Sequence, residues 1–313
     1  MLGKTAGGLF WMFRYLERSE NTARLLEAGF RMALTRSQSS SDEWKSVLLT
    51  AGVLPEYEKS HESYDAASVI DFLLRDKDNP SAVMPMMDNA RSNARLVRTA
   101  LTREVWEATN DCWMTLKTRL ARPVRERDLP SVLGTIRQQS ALVRGALHGT
   151  MLRNDIYDFS RIGTFLERAD NTARILDVKY YVLLPSVSHV GTSLDNVQWE
   201  TILRSVSAQR SYRWLNGADI NPRGIAEFLM LDNHMPRSLA FCYSQLASNL
   251  SFLADDYGER KPSQEMAEAM KMRLKTVSIE AIFSDGLHEF ITDFITANNR
   301  LGAQIEQDYR FYG

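Results

Sequence analysis

Two carboxylates, each followed by an arginine, then an amide, then a second arginine, are the residues best equipped for chemistry. They are Glu17, Arg18, Asn21 and Arg24 in FRYLERSENTARLLEAGFRMAL (13–34), and Glu167, Arg168, Asn171 and Arg174 in GTFLERADNTARILDVKYYVLL (163–184). Helical residues four and seven apart share a face, so Glu, Asn and the second Arg project together in each copy. A Glu in a partly desolvated cleft can take or give a proton, which makes Glu17 and Glu167 the candidate catalytic residues. Arg24 and Arg174 could then clamp the carboxylate or phosphate of an anionic small molecule or peptide.

The same residues suit a structural network equally well. Glu17 and Glu167 would pair with Arg18, Arg24, Arg168 or Arg174 across the two copies, with the Asn amides capping the remaining lone pairs. Such a buried network specifies register more than it adds stability, because desolvating ions costs several kcal/mol before pairing offsets it. A solvated charged face is the third reading. The flanks argue against it: Phe10, Phe13 and Ala28 in copy one, and Val178 and Tyr181 in copy two, share that sector with Arg14. A second helix layer or a cleft is expected to cover the face, with the two motif helices as neighbours. The opposite side carries Met12, Tyr15, Leu16, Ala23, Leu26 and Phe30, an apolar stripe for the main core.

The elements that hold these residues read as helices throughout. Segments with a 3.6-residue period run over 6–36, 41–53, 65–76, 80–121, 129–151, 154–184, 194–215, 222–233, 236–256 and 262–311, and strand-type alternation is missing. Eight of the nine prolines fall where that period starts or stops; only Pro85 lies inside a run. The fold class is therefore all-α. Glu17 and Glu167 lie 150 residues apart, as do Arg24 and Arg174; Trp44 aligns with Trp199, "IDFLL" (70–74) with "AEFLM" (226–230), Pro80 with Pro236 and Asn93 with Asn249. Anchors in one order with a slowly growing offset predict a multi-helix bundle built by internal tandem duplication with pseudo-twofold symmetry. The two units are 1–150 and 151–313, joined in one compact body.

With these residues in hand, "LFWMFRYLERSENTARLL" and "IGTFLERADNTARILD" resemble the alpha-E domain family, named for a helical fold with a Glu-Arg motif. The resemblance covers essentially the whole chain. It implies a bacterial protein whose genes neighbour, or are fused to, circularly permuted ATP-grasp and transglutaminase-like proteins, and hence a role in an amide-forming or peptide-modifying (amidoligase) pathway. The family's first motif usually has Gly where Phe13 stands here, while Gly163 keeps it in copy two, so a close helix approach is expected at copy two alone.

Composition narrows the rest. With 44% hydrophobic and 25% charged residues and a net charge of −1, the chain has no overall attraction to nucleic acid or an anionic membrane. No run approaches about 18 apolar residues, and the N-terminus does not read as a signal peptide, so a cytoplasmic location is expected. Cys112 and Cys242 read as small buried hydrophobes. Glu58-Lys59-Ser60-His61 has E-x-x-H spacing but lacks the partners a di-iron bundle needs, and His61, His148, His189, His234 and His288 are scattered, so no metal is expected. Arg91, Arg95 and Arg98, and the group Arg119, Arg122, Arg125 and Arg127, read as solvated faces. Trp44 and Trp199 read as core anchors. No phosphate loop, nucleophile elbow or Cys-His pair is present, so no cofactor is expected and any ATP chemistry belongs to a partner. Three functions follow: helical partner or substrate-presenting protein of an amide-forming pathway, enzyme using the paired Glu and Arg on an anionic substrate, or structural adaptor.

Overall fold

Helix α1 (Gly3–Thr35) and helix α8 (Asp155–Tyr181) carry the two motifs and pack directly on each other. The computed structural model describes residues 1–35, 40–181, 193–217 and 221–312. His189 lies outside them, as do the side chains of Val178 and Tyr181. Among the described residues there are fifteen α-helices and no strand.

Between the motif helices run α2 (Ser40–Ala51), α3 (Leu54–Tyr57), α4 (Ala66–Leu74), α5 (Val83–Leu96), α6 (Arg103–Arg119) and α7 (Leu129–Thr150). After α8 come α9 (Ser193–Ser205), α10 (Gln209–Asn216), α11 (Pro222–Leu231), α12 (Leu239–Tyr257), α13 (Pro262–Thr276), α14 (Ile279–Asp285) and α15 (Leu287–Asp308). Helix α1 lies against α2, α5 and α7, while α8 lies against α9, α12 and α15. Each motif helix also touches the short helix that follows the other: α2 contacts α8, and α9 contacts α1. One apolar core runs through all of this, with Trp44 and Trp199 buried in it.

Side-chain caps set the helix starts. Asp65 accepts from the Ser68 N–H, Thr102 from Val105, Ser238 from Phe241 and Ser278 from Ala281, each satisfying a donor that the first turn leaves free. Two of these caps, with two turns, also correct the sequence reading. The run 80–121 breaks at Thr102, where the cap starts α6 afresh. The run 262–311 breaks twice, at Ser278 and at Gly286, whose φ of 107° is open to glycine and strained for other residues. The run 194–215 breaks between α9 and α10, where Ser207 takes a φ of 57°. Pro85, the one proline inside a periodic run, sits in the first turn of α5, where its missing N–H costs nothing.

Candidate functional site

Helices α1 and α8 run in the same sense. Their contacts advance together, from Phe10 against Gly163 to Arg18 against Glu167. A Cβ at Gly163 would fall on the Phe10 carbonyl, 3.0 Å from its carbon and closer still to its oxygen. Glycine therefore sets how near the helices come, and the matching position in copy one, Phe13, is buried side-chain packing instead.

Past that contact the two Glu-Arg dipeptides cross. Arg168 donates two bonds to the Glu17 carboxylate, Nε to Oε1 at 2.9 Å and Nη2 to Oε2 at 3.0 Å. Arg18 donates two to Glu167, at 2.5 and 2.8 Å. Arg14 adds a third bond to Glu167 at 3.0 Å. Glu17 also accepts from Arg237 at 3.0 Å and Arg144 at 3.4 Å. The carboxylates are 1% and 3% exposed, so the structure buries both candidate acid/base groups. Burial alone would push the Glu17 carboxyl up, but Arg168, Arg237 and Arg144 outweigh it and hold it well below the usual carboxylate range. Burial raises Glu167 likewise, and Arg18 and Arg14 bring it down to about 2.

Arg24 and Arg174 do not form the expected clamp. Each turns back along its own helix to the acid four residues earlier: Arg24 to Glu20 at 2.6 and 3.1 Å, Arg174 to Asp170 at 2.6 Å. Nor do the amides cap the glutamates. Asn21 Oδ1 accepts from Arg237 at 3.1 Å, while the Nδ2 groups of Asn21 and Asn171 are buried without a partner. Because Arg237 can only donate, its bond fixes which way the Asn21 amide faces.

Arg237, Arg144, Glu20 and Asp170 complete the constellation, and the sequence reading singled out none of them. Arg237 comes from the turn before α12, at the edge of the periodic run 236–256; it is 6% exposed, and burial lowers its guanidinium to about 10. Glu20 and Asp170 were legible as the acid before Asn in both copies.

Two cavities open along α1, the first of them at this seam. One, of about 170 Å³, is lined by both motif helices, including Arg18 and Asn21 from α1 and Asp170, Asn171 and Arg174 from α8, with Ser81 at its edge. The other, of about 460 Å³, gathers Arg24, Arg31, Arg137, Arg204 and Arg210 around Glu27.

The remaining candidates are engaged elsewhere. Glu58 accepts from the Tyr64 hydroxyl, and the His61 ring stacks on Tyr57 with centroids 4.2 Å apart. No group of metal-ligating side chains forms among the described residues, and none of their helices is long and apolar enough to cross a membrane. Cys112 and Cys242 are buried, and burial pushes both thiols up to about 12.

A family model, Alpha-E, described as a predicted alpha-helical domain with a conserved ER motif, matches residues 1–310. An uncharacterized protein of Mycobacterium bovis is 24% identical over 308 residues, covering 92% of this chain and 34% of the relative. An uncharacterized protein of Mycobacterium tuberculosis is 23% identical over the same shares. The chain thus spans about a third of the length of these curated relatives. No solved structure gives a significant match.

Proposed function

The chain belongs to the Alpha-E family, and from that premise we propose that it is a non-catalytic helical partner in an ATP-grasp- and transglutaminase-associated amide-forming pathway, presenting a substrate or docking on the ligase. One observation carries the choice of partner over acid/base enzyme: each motif carboxylate is already held by two or more guanidinium groups. A general acid or base works with a pKa near the operating pH. Glu17 and Glu167 are held far below it, and protonating either would leave two or more guanidinium groups without their counter-charge. The pathway rests on the family resemblance. The length of the relatives agrees with a module that works beside other segments.

The test is co-purification of the chain with ATP-grasp and transglutaminase-like proteins encoded beside it, followed by an amide-formation assay with and without the chain. Retention together with a rate that depends on the chain supports the reading. Failure of every neighbour to bind, or amide chemistry by the chain alone that Glu17→Gln abolishes, overturns it.

The larger cavity favours a second reading, capture of an anionic small molecule or peptide. Five arginines line it with one carboxylate: Glu27 is shared between Arg31 and Arg137, while Arg24 is paired with Glu20 and Arg204 with Glu200. Calorimetric titration with phosphate and with an acidic peptide tests it; heats that persist in Arg137→Ala/Arg210→Ala would reject this cavity as the site.

A further inference from the structure

Arg237 fills a seat that has an empty counterpart. Its guanidinium is held on three acceptors of α1: Glu17 Oε1 at 3.0 Å, Asn21 Oδ1 at 3.1 Å and Glu20 Oε1 at 2.9 Å. It stands directly before Ser238, the residue that caps α12. Ser81 stands in the same relation to α5, directly before the N-cap residue Ala82. The Pro80–Pro236 alignment continues unbroken from these prolines through Ser81 and Arg237 into the two helix starts.

The counterparts of Glu17, Glu20 and Asn21 on α8 are Glu167, Asp170 and Asn171, and all three line the 170 Å³ cavity together with Ser81. Around that cavity the other cations have equivalents. Arg18 serves Glu167 as Arg168 serves Glu17, and Arg174 serves Asp170 as Arg24 serves Glu20. Arg14 gives Glu167 the further cation that Arg144 gives Glu17, although Arg144 also reaches Glu20 and Arg14 does not reach Asp170. The guanidinium that Arg237 supplies has no equivalent: a short hydroxymethyl takes its place, and the space it would fill is open beside exposed Gly52.

We infer that this cavity is a seat for a guanidinium group supplied from outside the chain, taking Asp170 and Asn171 as acceptors where Arg237 takes Glu20 and Asn21. The unpartnered amide nitrogens do not argue for an anion instead. Asn21 Nδ2 and Asn171 Nδ2 lack partners alike, although Arg237 is bonded to the first amide, so the two seats differ on the acceptor side. Among the described residues Asp170 accepts only from Arg174, and Asn171 Oδ1 accepts from no side chain. In the filled seat one Nη serves two oxygens and the other serves a third, a planar fork that a compact ammonium reproduces poorly. The group could belong to an arginine of a peptide or to a free guanidino compound. The inference goes beyond the pathway reading and does not depend on it.

The test is calorimetric titration of the full chain with agmatine, arginine amide and a Gly-Arg-Gly tripeptide, using lysine amide and citrulline amide as controls. Agmatine and arginine amide should bind at least roughly tenfold more tightly than lysine amide, and citrulline amide, which keeps the shape and loses the charge, should give no heat. A tripeptide tighter than agmatine identifies a peptide source; the reverse identifies a small molecule. Ser81→Arg should fill the seat from within, raise the melting temperature and weaken agmatine binding by roughly tenfold or more. Asp170→Asn, should Ser81→Arg fail to fold, should produce the same weakening. The inference is overturned if citrulline amide binds as well as arginine amide, if no cationic probe binds, or if phosphate binds in their place and is displaced by Ser81→Arg.

Discussion

Glu17 takes a two-pronged contact from Arg168, at 2.9 and 3.0 Å, while its neighbour Arg18 gives a two-pronged contact to Glu167. Each dipeptide thus offers one charge to the other helix and receives the opposite one. In this reciprocity the acid and the base of one dipeptide each meet the opposite charge of the other.

Removing one charge from that contact should cost the two copies differently. Glu17 is enclosed and holds Arg168, Arg237 and Arg144. Glu17→Gln should therefore lose about 3–5 kcal/mol in urea denaturation, the cost of stranding a buried cation. Glu167 borders the smaller cavity, where water reaches the arginines left behind, so Glu167→Gln should lose on the order of 1–2 kcal/mol. Equal losses would show that the cavity brings no relief.

Gly163→Ala should lose about 1–3 kcal/mol, because the added methyl meets Phe10 backbone rather than a side chain that can turn aside. Gly145→Ala, where an added Cβ meets nothing, serves as the reference and should be neutral or slightly stabilising. A melt for Gly163→Ala that matches the reference would mean that the helices can separate at no cost.

Acid should unfold the protein through this seam. Both glutamates have folded pKa values below the unfolded 4.5, so their contribution is complete above that value. It is lost as pH falls through the folded values, about 2 for Glu167 and lower for Glu17. Denaturant midpoints should fall steeply from about pH 4.5 down to pH 2, and Glu17→Gln should flatten that slope. An unchanged slope in the variant would place the acid sensitivity elsewhere.

Asp158 has the opposite sign. Burial, with Asp256 and Asp155 nearby, raises its carboxyl from 3.8 to about 7. The folded state therefore keeps a proton that the unfolded chain releases, and stability declines as pH rises between those values. Asp158→Asn should leave the melting temperature unchanged at pH 3.5 and raise it at pH 8. A variant less stable than wild type at pH 8 would contradict this.

The helical class and the burial of the motif faces were legible because both are periodic: charged identities recur beside Phe10, Phe13 and Ala28, which no solvated face needs. Helix breaks were less legible. Thr102, Ser278 and Gly286 act through one cap or one dihedral, which a long apolar period masks. The partners of the glutamates were legible only as a set. Distance along the helix cannot tell Arg18 from Arg24, whereas in three dimensions only Arg18 reaches across while Arg24 folds back onto Glu20. Arg237 was out of reach, since it stands at the edge of its run, in the turn before α12, and its aligned residue is a serine.

The crossing of the two dipeptides also bears on how the sequence can drift. Glu17 and Arg18 are adjacent in the chain, yet neither depends on the other; each depends on a residue about 150 positions away. The units that tolerate or reject change together are therefore Glu17 with Arg168 and Arg18 with Glu167. A substitution in one copy that shortens or neutralises its charge leaves the opposite charge in the other copy with one bond partner fewer. Two stretches separated by half the chain are thus each part of the other's environment.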